Sequence, residues 1–242
     1  WSLHDMWPFT DGLHYCEDTS SYIKERRKSR VLGSNNSGTL SRKVFKRKQN
    51  TYKKLNNLHI VGLSSWINNC SMSSTLLKEK KHINLPNPID TNIFKPLDKS
   101  IAKYIYNLPK DKKLILFGAM DATTDPRKGF DELVKSLERL DRNDIELIVF
   151  GSSKPKGKSQ ISTRFKINYI GQLSDDVSLT ILYNAVDVMV IPSLQENLSN
   201  AIMESLSCGV PVVAFDIGGN KDMVTHMKNG YLATPFDTQD LK

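Results

Sequence analysis

Val186-Asp187-Val188-Met189-Val190-Ile191-Pro192 is followed by Gln195-Glu196-Asn197-Leu198-Ser199-Asn200-Ala201-Ile202-Met203-Glu204, then by Ser207-Cys208-Gly209-Val210-Pro211-Val212-Val213-Ala214-Phe215. The first piece is a short apolar run, which reads as a buried strand. In the second, Ser199 precedes a segment of helical apolar spacing, so a helix is predicted over 199–207. Gly209 and Pro211 stop it, and 212–215 reads as the next strand. Strand, helix and strand in such close succession argue for a parallel sheet with right-handed crossovers. Ligands of open parallel sheets bind beyond the carboxyl ends of the strands. Glu196 and Glu204, with seven residues between them, fall at such an end and on the helix that follows.

That spacing has a physical use. Residues eight apart on a helix lie about 12 Å apart along its axis and roughly 80° apart around it. One carboxylate then reaches the head of an elongated ligand while the other reaches a hydroxyl further along. The free N–H groups and positive dipole end of the helix suit a diphosphate between them. The ligand inferred is a nucleotide sugar, with its sugar near Glu196 and its ribose at Glu204.

Working outward, the same alternation continues. Strands are predicted over 113–118, 145–151, 167–170, 186–191, 212–215 and 231–233, and helices over 129–140, 175–185, 199–207 and 221–227. Pro86, Pro88 and Pro96 break regular structure, so 86–98 is expected to be a linker. Residues 99–242 are then one lobe and 1–85 the end of another. In that earlier part, 1–16 reads as a loop after a strand, 22–30 and 40–55 as helices, 58–63 as a strand, and a helix runs from Ser64 or Ser65 to about 80. Trp1 is not an initiator methionine, and the last helix reads as cut at Lys242. The expectation is a chain truncated at both ends, and inactive by itself.

The chain of 242 residues carries a net charge of +8, very unevenly spread. Twelve Lys or Arg and one acid, Glu25, fall between Ser21 and Ile60, a local +11 that leaves the rest at −3. This stripe reads equally as a solvated helical face or as a contact with an anionic membrane surface. It lacks the interleaved aromatics of a single-strand binder, which disfavours nucleic acid. Cys16, Cys70 and Cys208 are odd in number and have no metal-ligand spacing, which argues against a disulfide or zinc framework. No apolar run reaches membrane-spanning length and no signal-peptide pattern is visible, so the expected setting is cytoplasmic, with the stripe as a peripheral membrane contact.

Arg127-Lys128-Gly129 follows a strand and a polar turn and opens a helix, a place where two cations can neutralise a diphosphate. Gly151 and Gly218-Gly219 follow strands, where glycine lets backbone approach a ligand or makes an ordinary turn. No Asp-x-Asp pair occurs, so no metal is expected to hold the diphosphate.

With these pieces the stretch from Tyr183 to Ala233 resembles the donor-binding region of retaining glycosyltransferases of family 4 (glycosyl transferases group 1), which have the GT-B fold. The resemblance rests on Tyr183-Asn184-Ala185-Val186-Asp187, Ile191-Pro192-Ser193, the glutamate pair, Cys208-Gly209-Val210-Pro211, Gly218-Gly219 and Asn229-Gly230-Tyr231-Leu232. Upstream it continues through Arg127-Lys128-Gly129, Leu85-Pro86-Asn87-Pro88-Ile89-Asp90 and His4-Asp5-Met6-Trp7. It implies an α/β chain with a Rossmann-like donor lobe. It also implies transfer of a sugar, with retention, from a nucleotide diphosphate donor to a glycan or lipid-linked acceptor, as in polysaccharide biosynthesis. Lys128 then grips the phosphates, Glu196 orients the sugar, and His4 stands beside the reaction centre. Two departures matter. Relatives carry an arginine after the first strand of the lobe, where this chain has Phe117-Gly118-Ala119-Met120, and a glycine loop where it has Asn197-Leu198-Ser199. They leave two alternatives open: a non-catalytic scaffold or nucleotide-sugar-binding protein, and another GT-B enzyme such as an epimerase.

Overall fold

The computed structural model describes residues 1–16, 20–23, 37–118, 125–151 and 165–242. The chain divides into two compact units, Trp1–Asn87 and Pro88–Lys242. In chain order the first unit holds strand β1 (Ser2–Leu3), helices α1 (Ser20–Ile23) and α2 (Ser37–Tyr52), strand β2 (His59–Gly62), helix α3 (Ser65–Ser73) and strand β3 (Lys81–Asn84). The strands make a parallel sheet in the order β1-β2-β3. Leu3, Met6, Phe9, Tyr22, Tyr52, Ile60 and Ile67 form its core.

Ser64 caps α3 by accepting from Ile67 N at 3.1 Å. The helix stops at Ser73, well short of residue 80. Ser74 turns its hydroxyl onto Ser71 O at 2.7 Å and accepts from Leu77 N at 3.1 Å. A serine competing in this way for backbone partners ends a helix. It frees the chain for β3, which the sequence reading did not foresee. Mostly exposed, Lys81-His82-Ile83-Asn84 offers no apolar alternation to read. Most of the helix expected over 22–30 lies outside the described residues.

The second unit runs α4 (Lys99–Ile105), β4 (Lys113–Gly118), α5 (Phe130–Glu138), β5 (Ile145–Phe150), β6 (Lys166–Gly171), α6 (Asp176–Ala185), β7 (Val188–Ile191), α7 (Asn200–Ser207), β8 (Val212–Phe215), α8 (Asn220–Met223) and β9 (Gly230–Ala233). Its six-stranded sheet is parallel throughout, as the alternation of strands and helices requires, in the order β6-β5-β4-β7-β8-β9. Leu114 and Leu116 pack on one face with Met189, Leu182 and Ile202. Ile115 and Phe117 pack on the other with Val149, Phe130 and Leu133. Both faces are covered, which is why these strands are continuously apolar rather than alternating.

Two boundaries and one whole helix differ from expectation for local reasons. Strand β7 begins at Val188 because Asp187 is already committed. Its Oδ2 accepts from Leu114 N and its Oδ1 from Lys99 Nζ, both at 2.8 Å. Helix α8 ends at Met223 because the Asn229 amide donates to Met223 O at 3.0 Å and accepts from Thr225 N at 2.7 Å. Helix α4 was not foreseen. Asp98 caps it by accepting from Ser100 N and Ile101 N. Its Ile101, Tyr104 and Ile105 face solvent, which scrambles the periodicity a reader relies on.

Candidate functional site

Strand order fixes where a ligand fits. The chain winds outward from β4 through β5 and β6, then returns to β4's other side at β7 and winds the opposite way. The crevice beyond the carboxyl ends of β4 and β7 is therefore the switch point of the sheet, the place where doubly wound folds bind ligands.

Residues arriving there come from two loops that are locked together. After β4 the chain makes a tight turn, Pro126–Lys128, whose start Asp125 fixes by accepting from Arg127 N at 3.0 Å. Arg127 O accepts from Leu194 N, in the loop after β7, at 2.8 Å. Gly129 closes the turn with φ +72°, and a Cβ there would stand 1.8 Å from Pro192 O. Only glycine permits both that dihedral and that approach. The result is that Lys128 Nζ lies 3.3 Å from Glu196 Oε2, with the two side chains 30% and 12% exposed. The other oxygen of Glu196 accepts from Asn197 N at 3.2 Å.

Beyond the pair, Asn197 and Ser199 are buried, Leu198 is partly so, and Ser199 opens α7. No acid occupies the first turn of α7, so its positive end stays available to an anion. Glu196 itself lies before the helix, so the eight-residue helical spacing estimated from the sequence does not apply to it. Glu204 is on α7 and accepts from the Tyr183 hydroxyl at 2.7 Å. Burial is the main cause raising its carboxyl above the usual range, with Asp176 adding to it and the tyrosine bond opposing it.

The remaining predicted residues are placed as follows. Arg127 does not point at Glu196; its guanidinium forks onto Asp125, Nη2 to Oδ2 at 2.7 Å. That fork holds the Asp125 carboxyl below its ordinary range. Gly218 (φ +52°) and Gly219 lie between β8 and α8, one strand over from β7. Gly151 ends β5 and donates to Gly171 O at 2.7 Å, bridging β5 to β6 instead of joining Lys128. Ala119 and Met120, where relatives' arginine was sought, lie outside the described residues.

In the first unit, His4 follows β1 directly and is exposed. Asp5 meets His14 Nδ1 at 2.6 Å. Of the cations on α2, Arg42, Lys43, Lys46 and Arg47 are exposed. Lys48 is not. It is 6% exposed, donates to Trp7 O and to Thr10 O, and sits 3.5 Å from the centre of the Trp7 ring. Burial pulls its amine down to about 8, with Asp11 and Asp5 opposing. One member of the sequence stripe is thus a core residue. Lys24, Arg26, Arg27, Lys28 and Arg30 lie outside the described residues. Among the described residues no helix is long and apolar enough to cross a membrane.

Tyr183 and Asn220 escaped the site reading. Tyr183 is fully buried yet donates to a site carboxylate. Asn220 is also fully buried; its amide donates to Phe215 O at 3.0 Å, and its Oδ1 has no hydrogen-bond partner among the described residues. Only the motif Tyr183-Asn184-Ala185-Val186-Asp187 touched the first, which was otherwise read as the end of the helix over 175–185.

Residues 111–242 match the family described as glycosyl transferases group 1. Over 132 residues the chain is 30% identical to an uncharacterised glycosyltransferase of Methanocaldococcus jannaschii, covering 52% of this chain and 33% of that one. It is 29% identical over 174 residues to a D-inositol 3-phosphate glycosyltransferase of Streptosporangium roseum, covering 65% and 39%. The chain therefore spans only about a third to two fifths of the length of these relatives. In fold it is similar to the Anabaena protein HepE, solved in complex with UDP-glucose (TM-score 0.62, 20% identity, 81% of this chain and 56% of that one).

Proposed function

The chain belongs to the glycosyl transferases group 1 family, and from that premise we propose that it carries the donor half of a retaining, family 4 glycosyltransferase. The enzyme moves a sugar from a nucleoside diphosphate to a glycan or lipid-linked acceptor. The observation that carries this reading is the Lys128–Glu196 pair, 3.3 Å apart at the switch point of the sheet. Binding divides the pair's labour. Lys128 turns to the diphosphate, assisted by the N-terminal end of α7, and Glu196 is released to accept from sugar hydroxyls. In the transition state the departing diphosphate gains negative charge, and a lysine already in place stabilises it without reorganisation. Glu204 accepts from the ribose. Retention follows the resemblance to family 4. UDP-glucose, bound by the HepE relative, is the first donor to try. No metal is part of the proposal. Calorimetric titration of UDP tests it: the parent binds, and Lys128→Ala and Glu204→Ala both weaken binding, whereas Glu196→Ala chiefly weakens discrimination between UDP-glucose and UDP. Equal UDP affinity in all three variants defeats the reading.

We also propose that Arg42, Lys43, Lys46 and Arg47 rest the first unit on an anionic, cytoplasmic membrane face, where a lipid-linked acceptor is met. Each well-placed cation contributes about 1 kcal/mol at such a surface. Reversing these four charges should abolish sedimentation with anionic vesicles at low salt and spare UDP binding. Equal sedimentation of the parent with neutral vesicles returns the helix to a solvated face.

A further inference from the structure

Tyr183 belongs to no part of the proposed donor site, yet it holds a residue that does. Its ring is 1% exposed and fixed edge-on between Phe94 and Phe150, with centroids 6.4 and 6.2 Å away. The hydroxyl at its tip reaches Glu204 Oε2 at 2.7 Å. Direction matters in that contact. Burial, and then the neighbouring Glu204, push the phenol well above its ordinary range, so it keeps its proton. It must donate, and the carboxylate must accept. One lone pair of Glu204 is thereby taken up from α6, which biases the orientation of the carboxylate and leaves its remaining lone pairs for two vicinal hydroxyls.

We propose that Tyr183 is a positioning residue for nucleotide recognition, donating from α6 to Glu204 so that this carboxylate stays ionised and correctly turned for the ribose 2′- and 3′-hydroxyls. The inference rests on the ribose assignment of Glu204. Among the described residues, the groups facing that carboxylate are Tyr183 and Asp176 on α6 and the Cys208 thiol just past its own helix. Burial and Asp176 both favour its protonated form, and Tyr183 alone of the three favours the charged one. Remove that hydroxyl and Glu204 takes up its proton at higher pH. The site then loses its acceptor under conditions where the parent still binds.

The test compares UDP with 2′,3′-dideoxyuridine diphosphate from about pH 5 to about pH 8, by calorimetry on the parent, Tyr183→Phe and Glu204→Gln. The ratio of the two affinities cancels protonation of the phosphates and isolates the ribose. In the parent the ratio falls towards one as pH drops and Glu204 is protonated. In Tyr183→Phe the midpoint of that fall moves up by about one pH unit, the equivalent of losing one hydrogen bond to a charged group, and the high-pH ratio returns to within about threefold of the parent. In Glu204→Gln the ratio is low and flat. A merely structural tyrosine would lower both affinities equally and leave the midpoint in place. If Tyr183→Phe follows the parent curve while Glu204→Gln is flat, Tyr183 has no positioning role and the ribose assignment stands. If the parent ratio is near one at every pH, the ribose assignment is wrong and this inference falls with it. Should Tyr183→Phe fail to fold, fluorotyrosine at 183 is the second variant: a stronger donor of the same shape must shift the midpoint down, and no shift overturns the proposal.

Discussion

Two shielded lysines, one in each unit, show what separates a lysine locked into packing from a lysine whose partner can be exchanged. Lys48 is 6% exposed and its partners are main-chain carbonyls, Trp7 O and Thr10 O, with the Trp7 ring beneath. Lys128 keeps 30% of its side chain exposed, and its partner is a carboxylate on a different loop. Carbonyls of a packed turn cannot move aside, so Lys48 has no other role available than to hold residues 7–10. A carboxylate can be exchanged for another anion. Burial sharpens the contrast: it depresses the amine of Lys48 to about 8, a cost that serves packing alone.

The sharpest break to this comparison comes at Gly129, which sets the turn that presents Lys128. Gly129→Ala forces a β-carbon against Pro192 O and an unfavourable dihedral, so a stability loss of about 3 kcal/mol or more is expected. Chemical unfolding measures it; a loss under 1 kcal/mol means that the two loops are not locked. Next is Lys48→Ala, which strips a donor from the part-buried Trp7 O and from the buried Thr10 O and should cost about 2–4 kcal/mol. Its pH signature has a definite sign. The folded amine titrates near 8 and the unfolded one near 10.5. Between those values the unfolded chain holds more protons, so stability rises with pH there, and it is flat in this respect below about 8. Parent stability that falls across that window removes Lys48 from the interior.

Lys128→Ala should show the opposite balance: about 1.5–3 kcal/mol of UDP affinity lost, with unfolding nearly unchanged. If stability falls and affinity does not, Lys128 is another structural lysine and the distinction collapses. The smallest effect is expected at Arg127. Its guanidinium pairs within its own turn and is 54% exposed, so Arg127→Ala should change stability by less than about 0.5 kcal/mol and leave UDP affinity within twofold. A tenfold loss of affinity would give Arg127 the phosphate role that its fork to Asp125 argues against.

Most of the second unit was legible in the sequence because its central strands are buried on both faces and α6 and α7 start at Asp175 and Ser199. Strands 113–118 and 212–215 need no adjustment. What stayed hidden was side-chain commitment. Asp187 reads as part of a strand until its carboxylate is seen on Leu114 N. Arg127 reads as a phosphate ligand until Asp125, two residues away, claims it. Lys48 reads as a surface charge because nothing in a basic run marks a lysine that turns inward. In the first unit β1 and β3 are too short or too polar to carry a period. Lys128 and Glu196 could be named from the motifs, but their contact depends on Gly129 and Leu194, which the motifs do not connect.

The lock between the two loops has a consequence for how a ligand enters. Because Arg127 O is tied to Leu194 N and Gly129 sits against Pro192, the backbones carrying Lys128 and Glu196 travel together. They cannot be pried apart like jaws. A diphosphate can part the charges only by side-chain rotation, trading the resident carboxylate for a phosphate oxygen. In the proposed donor site this amounts to an ion exchanger charged in advance with its own counter-ion: Lys128, 30% exposed, already faces a carboxylate, so a donor phosphate would replace one anion with another rather than strip the amine of water alone.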